Sequence, residues 1–323
     1  MFEFHQMNAR MPAGYRLDSD DTVFFLRQLE SIDQKPYQVL FSGMLARRYI
    51  PNQEGVDPTS NVYTWRMYER TGRAKASGPN ANDQNRVGVR GGERSVTIKQ
   101  IATEYGWTVR EIQQAAKVGV PLDQMTVNAA KRAVDFEVDD LLAFGEADLG
   151  IVGIYNLPNV NSTTATTKTT TGKDWLANTP PAEILADYNL LIAELRAGLK
   201  QAGDSSVVWP KFAILSPSKD YAIAATTPRS TTSDTTILKY AIQNNPWIES
   251  IEEWWKGDAA GGANTPRHVA FPRDPDAVSA VVPTEFTSLP PQAEGLGYVI
   301  PAFGSCGGVV NRYPVACRYM NTH

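Results

Sequence analysis

Apolar and polar residues alternate in two stretches near the start of the chain, and these stretches predict a long β-hairpin. The alternation runs through YTWRM in residues 62–75 and through SVTIK in residues 94–107. A period of two is typical of a strand that turns one face to a core. Eighteen polar and glycine-rich residues (76–93) lie between the two stretches, whereas ordinary hairpin loops have about two to five. We therefore predict a hairpin that projects from the body of the protein.

Steps of three and four residues between apolar positions predict two helices after the hairpin. A T-x-x-E capping box at Thr108 and Glu111 starts a helix that runs to about Val118. Pro121 suits the first turn of the next helix, which would continue to Phe144 over about 35 Å. Its apolar positions are Leu122, Met125, Ala129, Ala133, Phe136, Leu141, Leu142 and Phe144.

The remaining patterns are shorter. Residues 51–61 are turn-rich, residues 146–161 are typical of strands and turns, and the threonine-rich run 162–172 is typical of a solvated surface linker without chemistry. The other predicted elements are helices over 20–29, 180–202, 218–225 and 235–244 and strands over 211–215 and 247–255. Their alternation indicates a mixed α/β unit between about 175 and 265.

Composition removes several classes of protein. The chain has 323 residues, of which 42% are apolar and 20% charged, with a net charge of −4. It is too apolar to be disordered and too near neutrality to be a uniformly basic nucleic-acid binder. Its first residues do not form a secretion signal, and no apolar run approaches the ~18 residues that span a bilayer. We expect a soluble protein made in a cytoplasm, with no membrane partner.

Candidate catalytic groups are few, because the chain has three histidines and two cysteines. The glycine-rich segment around Cys306 could hold a nucleophile, which would make the protein a cysteine hydrolase with His268 or His323 as base. We favour two reduced thiols, Cys306 and Cys317, in a β-rich C-terminal region, although a small disulfide loop is the alternative. Phosphate-binding and dinucleotide-binding glycine motifs are absent from the sequence. We expect no enzyme activity, cofactor or metal.

Charge is segregated along the chain. Residues 62–110 carry nine basic and four acidic side chains, a net +5, which leaves −9 for the rest. Six acids lie within residues 135–148, at the C-terminal end of the long helix, where the helix dipole disfavours negative charge. This arrangement suggests a compensating cation. The alternative is that water solvates both the basic hairpin and the acidic end of the helix. We predict contacts between subunits that join hairpin arginines to helix acids, namely Arg66, Arg70 and Arg73 to Asp135, Asp139 and Asp140.

Three segments carry a resemblance to a known family: residues 118–145 with the long helix, residues 150–156 (GIVGIYN), and the closing strands over 297–314. In this order, after a hairpin, they resemble the major capsid proteins of tailed bacteriophages. These proteins have the fold of the Hong Kong phage type, which the encapsulins share. The resemblance extends over nearly the whole chain.

The resemblance implies an α+β fold with an N-terminal arm, an extended β-hairpin loop, a long spine helix, and peripheral and axial domains. The implied divisions are an arm over 1–40, a hairpin loop over 57–107, a peripheral domain over 41–56 and 108–174 with its spine helix at 121–144, an axial domain over 175–265, and a β-rich tail over 266–323.

The implied function is structural: a major capsid subunit whose pentamers and hexamers form an icosahedral shell around double-stranded phage DNA. Such a subunit would be made in the bacterial cytoplasm and end in the virion. The alternative within this fold is an encapsulin nanocompartment shell.

The founder of the fold crosslinks a loop lysine, but here Lys75 and Lys99 lie away from the hairpin tip, so we expect noncovalent contacts or a decoration protein. The short arm leaves no room for a fused scaffolding segment, which implies a separate scaffolding protein or none.

Overall fold

A computed structural model describes residues 44–76, 85–118, 122–169, 172–201, 209, 211–230 and 232–322. Every described residue belongs to one compact unit, Met44–His323. The arm expected over 1–40 and the helix expected over 20–29 therefore lie outside the described residues. So does Pro121, the expected start of the long helix.

The described residues contain helices and strands in one chain, as the predicted α+β class requires. The α-helices are α1 (Ala46–Tyr49), α2 (Val109–Val118), α3 (Leu122–Ala143), α4 (Pro181–Gln201), α5 (Ser218–Thr226) and α6 (Ile237–Asn244). The strands are β1 (Val62–Thr71), β2 (Gly88–Thr97), β3 (Lys99–Thr108), β4 (Gly145–Glu146), β5 (Ile151–Val152), β6 (Asn161–Thr164), β7 (Phe212–Ser216), β8 (Pro228–Ser230), β9 (Ser233–Thr236), β10 (Ile248–Glu253), β11 (Arg267–Phe271), β12 (Val278–Val281), β13 (Thr284–Ser288), β14 (Gln292–Glu294), β15 (Gly297–Cys306), β16 (Gly308–Asn311) and β17 (Arg318–Asn321). Short 3-10 helices occupy Ile154–Asn156, Trp255–Ala259, Gly262–Asn264 and Pro314–Ala316.

The predicted hairpin is present and is formed by β1 and β2. They pair antiparallel from Val62 opposite Thr97 to Thr71 opposite Gly88. The second strand thus begins at Gly88, and the prediction that residues 88–93 belong to the tip was wrong. A ladder of backbone hydrogen bonds needs no side chain, so the glycine-rich sequence could pair although its pattern gave no strand signal.

The single strand expected over 94–107 is two strands that belong to different sheets. Ile98 separates them: it is buried against Val281 and Val310, and its N–H donates to the carbonyl oxygen of Asn61 at 2.8 Å. Beyond Ile98 the chain leaves β1, and β3 pairs along its length with β15. The alternation continues through the break, which explains why the sequence indicated one strand.

The strand β15 is central to the second sheet, with β3 on one side and β13 and β14 on the other. The helix α3 packs against one face of this sheet. An added Cβ at Gly304 would lie 3.0 Å from Val134 of the helix, and the indole N–H of Trp107 donates to Thr126 at 2.9 Å. The capping box at Thr108 and Glu111 forms at the start of α2, as predicted.

A five-stranded mixed sheet, in the order β10-β7-β11-β17-β6, forms the centre of the other half. The helices α4 and α6 cover one face, where Ile184, Leu191 and Ile237 pack with Phe212 and Ile214 of β7. The predicted helices and strands over 180–255 are confirmed within one or two residues. The domain boundaries implied by the resemblance stay predictions.

The threonine-rich run was wrongly predicted to be a solvated linker. Its first residues form β6, which pairs parallel with β17. The side chain of Lys168 is fully buried and forms an ion pair with Asp187 of α4. Long-range partners decide this structure, and no local pattern in the run indicates them.

Candidate functional site: a basic hairpin and the acidic end of the long helix

The hairpin has one face toward its own chain and one face toward solvent. Each strand has ten residues, a length of about 33 Å. Tyr63, Trp65 and Met67 are half-buried, and the hydroxyl of Tyr63 accepts from Arg312 at 3.0 Å. Thr64, Arg66 and Tyr68 alternate with these residues, point the other way and are exposed, Tyr68 at 71%. The base is therefore anchored, and the outer half presents free surface.

The arginines predicted to make contacts lie on this hairpin. Arg66 faces Glu93 across the strands, and their side chains form an exposed ion pair at 2.9 Å. Arg70 lies opposite Val89, and Arg73 lies beyond the end of β1. Within the described residues neither Arg70 nor Arg73 has a carboxylate within 4 Å of its guanidinium group. These two arginines carry charge that a neighbour could use.

The acids at the end of α3 already have a cation from the same chain. The ammonium nitrogen of Lys256, which is fully buried, lies 2.6 Å from Asp139 and 2.6 Å from Asp140. A cation at the C-terminal end of a helix also interacts favourably with the helix dipole. The compensating cation that the acidic run suggested is therefore Lys256, which sequence reasoning did not find because it lies more than a hundred positions away.

Asp139 and Asp135 also hold the short helix α1 in place. Asp139 accepts from the N–H of Ala46 at 2.7 Å, and Asp135 lies 3.3 Å from Arg47. The exposed fractions of the acidic side chains differ: 21% for Asp135, 5% for Asp139 and 38% for Asp140. Asp139 thus has little surface left for another subunit. Whether the hairpin arginines pair with these acids in an assembly stays a prediction.

A Ser–His–Asp arrangement, absent from the sequence-based candidates, lies in the core. His268 is hydrogen-bonded to Ser216 at 3.2 Å and to Asp220 at 2.9 Å, and the hydroxyl of Thr322 donates to Asp220 at 2.7 Å. All four residues are buried. The ring nitrogens are also reversed relative to a serine hydrolase, because Nδ1 faces the serine and Nε2 the aspartate. The arrangement satisfies buried polar groups and joins β7, α5, β11 and the C-terminus.

Cys306 is poorly suited to nucleophilic catalysis. It is fully buried, and burial raises the pKa of its thiol to about 11. A nucleophilic cysteine needs a lowered pKa and access to substrate. Cys306 and Cys317 are free thiols, as favoured from the sequence, and the described residues contain no group of three or more metal-ligating side chains that could hold an ion.

The family of the chain follows from its sequence match and agrees with the fold. A family model described as "Major capsid protein" matches residues 72–322, more than three-quarters of the chain. The chain belongs to the major capsid protein family. No curated protein matches it. The resemblance to the major capsid proteins of tailed bacteriophages, based on the spine helix and the closing strands, is confirmed.

Solved capsid and phage structures share the fold of this capsid protein. The capsid of the Myoviridae phage XM1 matches with a TM-score of 0.80 and 19% identity over 94% of this chain and 100% of that chain. The capsid of a native GTA particle gives 0.60 and 8%, over 90% and 94%. Mycobacterium phage Che8 gives 0.59 and 12%, over 91% and 96%. At these identities the likeness concerns the fold.

The family makes this chain a structural subunit of a capsid shell, which assembles with copies of itself and is a component of the virion. The phage capsid alternative is favoured over the encapsulin alternative. Among the described residues, no helix is both long enough and apolar enough to span a bilayer.

Proposed function

We propose that pentamers and hexamers of this chain form an icosahedral shell around double-stranded DNA, and that the hairpin of each subunit contacts a neighbour. The exposed outer hairpin supports the second part. Tyr68 and Val89, on its outward face, are 71% and 66% exposed. An isolated two-stranded hairpin is marginally stable in water, and the outward face of this hairpin is unpacked within the subunit. A neighbouring subunit that covers this face would stabilise it.

The proposed electrostatic contact joins Arg66, Arg70 and Arg73 to Asp135, Asp139 and Asp140 of a neighbour. Asp140 retains the most exposed surface of the three acids, so it is the best placed to accept a second cation beside Lys256. Exposed ion pairs contribute only about 0.2–1 kcal/mol each. Their effect in a shell comes from repetition over many subunits and from orienting each subunit.

The subunit would hold DNA without reading its sequence and without catalysing a reaction. A net charge of −4 suits this function, because a strongly basic lining would bind packaged DNA through counterion release and oppose its ejection. Lys75 and Lys99 lie away from the hairpin tip, so the shell would be held by noncovalent contacts or by a decoration protein. We also propose that the subunit is synthesised in the bacterial cytoplasm.

A truncated hairpin tests the proposal. The variant replaces residues 68–91 with an Asn-Gly turn and keeps Tyr63 and Trp65, which anchor the base. We expect the full chain to form closed shells in negative-stain images and the variant to remain as small species in sedimentation velocity. Circular dichroism should show that the variant is folded. Shells formed by the truncated variant would refute the role of the hairpin, and a full chain that never forms shells would refute the proposal.

A further inference from the structure

The hairpin and the segment that follows β16 line a cleft of about 840 Å³. Its walls include Met67 of β1, Arg90, Gly92 and Arg94 of β2, and the segment Arg312–Val315. Cavities of roughly 300–1,000 Å³ are typical of small-molecule sites in proteins. We call this cavity the basic cleft.

The strand β2 presents the pattern Arg-x-Gly-x-Arg to the basic cleft. The register pairs Met67 with Gly92, and residues directly opposite each other in an antiparallel pair share a face. Met67 is on the half-buried face of the hairpin, so Gly92 is on it too, with Arg90 and Arg94 two residues to either side. A Cβ added at Gly92 would have no described atom within 4 Å. The strand therefore leaves open space over bare backbone between two arginines.

The charges of the basic cleft are not balanced. Within the described residues, neither Arg90 nor Arg94 forms an ion pair with a carboxylate. The guanidinium group of half-buried Arg312 donates to four neutral oxygen atoms, at distances from 2.7 to 3.2 Å. Glu69, opposite Arg90, is the one acid on this face of the two described strands. Three arginines against one acid leave a net positive charge that an anion would neutralise.

We propose that the basic cleft binds a multivalent phosphate anion, with Arg90 and Arg94 holding its phosphate groups on either side of Gly92. A guanidinium group donates two parallel hydrogen bonds to a phosphate, which a lysine ammonium cannot do. Linked phosphate groups carry several charges close together, and this suits several arginines that line one cavity. Arg312 supplies the positive charge of the second wall.

The inference goes beyond the proposed shell and does not depend on it, because the basic cleft lies within one subunit. It uses none of the arginines that are proposed to contact a neighbour, namely Arg66, Arg70 and Arg73. Two sources supply linked phosphate groups: free polyphosphates, including nucleoside triphosphates, and the backbone of DNA. The chemistry of recognition is the same for both, and the experiment separates them.

Titration calorimetry of tripolyphosphate into the unassembled full chain tests the site. We expect saturable binding that weakens as salt is added. Arg90→Gln with Arg94→Gln should weaken this binding at least about tenfold, because two charge-assisted contacts are lost. The matched control is Arg110→Gln with Lys117→Gln, which removes the same charge from exposed positions of α2 and should change the affinity less than about twofold. Equal losses in the two double variants, or none in the first, would overturn the proposal.

A variant that keeps every charge tests the place of binding. Gly92→Val fills the bare backbone between the arginines, and valine is favourable in a strand. The variant should melt near the temperature of the wild type and bind tripolyphosphate at least about fivefold more weakly. Hydrogen exchange gives a second measurement: tripolyphosphate should slow the exchange of β2 amides in the wild type and not in Gly92→Val. Binding and protection that Gly92→Val leaves unchanged would show that the anion binds elsewhere, against the proposal.

Competition identifies the source of the phosphate. If a short DNA duplex displaces tripolyphosphate, and its own binding falls in Arg90→Gln with Arg94→Gln, the ligand is the DNA backbone. If the duplex does not compete, the ligand is a free polyphosphate. A hexaglutamate peptide that binds as tightly as tripolyphosphate, with the same loss in the double variant, would overturn the phosphate in favour of an acidic protein segment. A chain that binds tripolyphosphate in the basic cleft but never forms shells would refute the proposed shell alone.

Discussion

The ammonium nitrogen of Lys256 lies 2.6 Å from a carboxylate oxygen of Asp139, and both side chains are shielded from solvent. Lys256 belongs to the 3-10 helix Trp255–Ala259, which follows β10. The same carboxylate accepts from the N–H of Ala46. One buried ion pair therefore joins the long helix, the short helix α1 and the end of the five-stranded sheet. The acids that suggested a contact with another subunit stabilise the subunit itself.

Replacing Lys256 with Met should strongly destabilise the subunit. The change leaves Asp139 buried without a cation, and removing one partner of a buried ion pair costs about 3–5 kcal/mol. Because Asp140 is partly exposed, we expect about 3 kcal/mol, a fall of roughly 6–12 °C in melting temperature. Thermal unfolding of the unassembled subunit measures it. Lys239→Met, at an exposed lysine of α6, is the control, and equal melting temperatures for the two variants would contradict the prediction.

The buried pair of Lys168 and Asp187 should behave non-additively. Lys168 also donates to the carbonyl oxygen of Thr166 at 2.9 Å, and Asp187 accepts from the indole N–H of Trp175 at 2.9 Å. Lys168→Met alone should cost about 3–5 kcal/mol, because it leaves a buried carboxylate without its cation.

Adding Asp187→Asn to Lys168→Met removes that charge and retains an amide oxygen for Trp175. Part of the lost stability should return, and urea unfolding of both variants measures the coupling. A double variant less stable than Lys168→Met would show that the unpaired charge of Asp187 is not the cause of the stability lost in Lys168→Met. Lys173→Met, at an exposed lysine of the neighbouring loop, should be within about 0.5 kcal/mol of the wild type.

The long helix shows what hydrophobic periodicity can and cannot predict. The period correctly predicted a helix, but much of the apolar stripe that predicted it is not the buried face. Met125 and Phe136 are each 42% exposed, whereas Val134 and Val138 are buried. Periodicity depends on local order along the chain, whereas the buried face depends on which side the sheet approaches, and that is set by pairing with distant strands.

In the hairpin and the candidate site too, local patterns were predicted correctly and long-range partners were not. Alternation predicted β1 and the second strand, yet it could not predict the change of partner at Ile98, because β15 lies two hundred positions later. The clustering of charge was visible in the sequence, and the arginines were correctly placed on the hairpin. The cation that pairs with the acidic cluster was not predicted, since nothing near Lys256 in the sequence indicates Asp139.

A single methyl group at Gly145 should be costly. Gly145 follows α3 with φ of 65°, and a Cβ there would lie 2.4 Å from the carbonyl oxygen of Ile151. Gly145→Ala should therefore cost about 2–5 kcal/mol from the left-handed backbone and the clash together. Gly55→Ala separates the two causes, because Gly55 has φ of 74° and no described atom within 4 Å of the added Cβ. Chemical denaturation should show about 1 kcal/mol there; equal losses would mean that the clash is relieved.

The stability of the subunit should fall as the pH rises above 9. Burial raises the pKa of Cys306 from 9.0 to about 11, and it also raises the pKa of Cys317. Between pH 9 and 11 the unfolded chain loses these protons while the folded chain keeps Cys306 protonated. The unfolded state then binds fewer protons, so the free energy of unfolding decreases with pH, by up to about 1.4 kcal/mol per unit for each thiol.

Urea unfolding at pH 8, 9 and 10 measures this slope, and cysteine variants assign it. Buried tyrosines such as Tyr188, whose pKa is also raised by burial, add the same sign of change only above pH 10. Cys306→Ala lowers stability at every pH because it opens a cavity, so the comparison concerns slopes. We expect a shallower slope for Cys306→Ala and a still shallower one for Cys306→Ala with Cys317→Ala. A double variant with the slope of the wild type would show that the thiols ionise alike in both states, against their burial in the core.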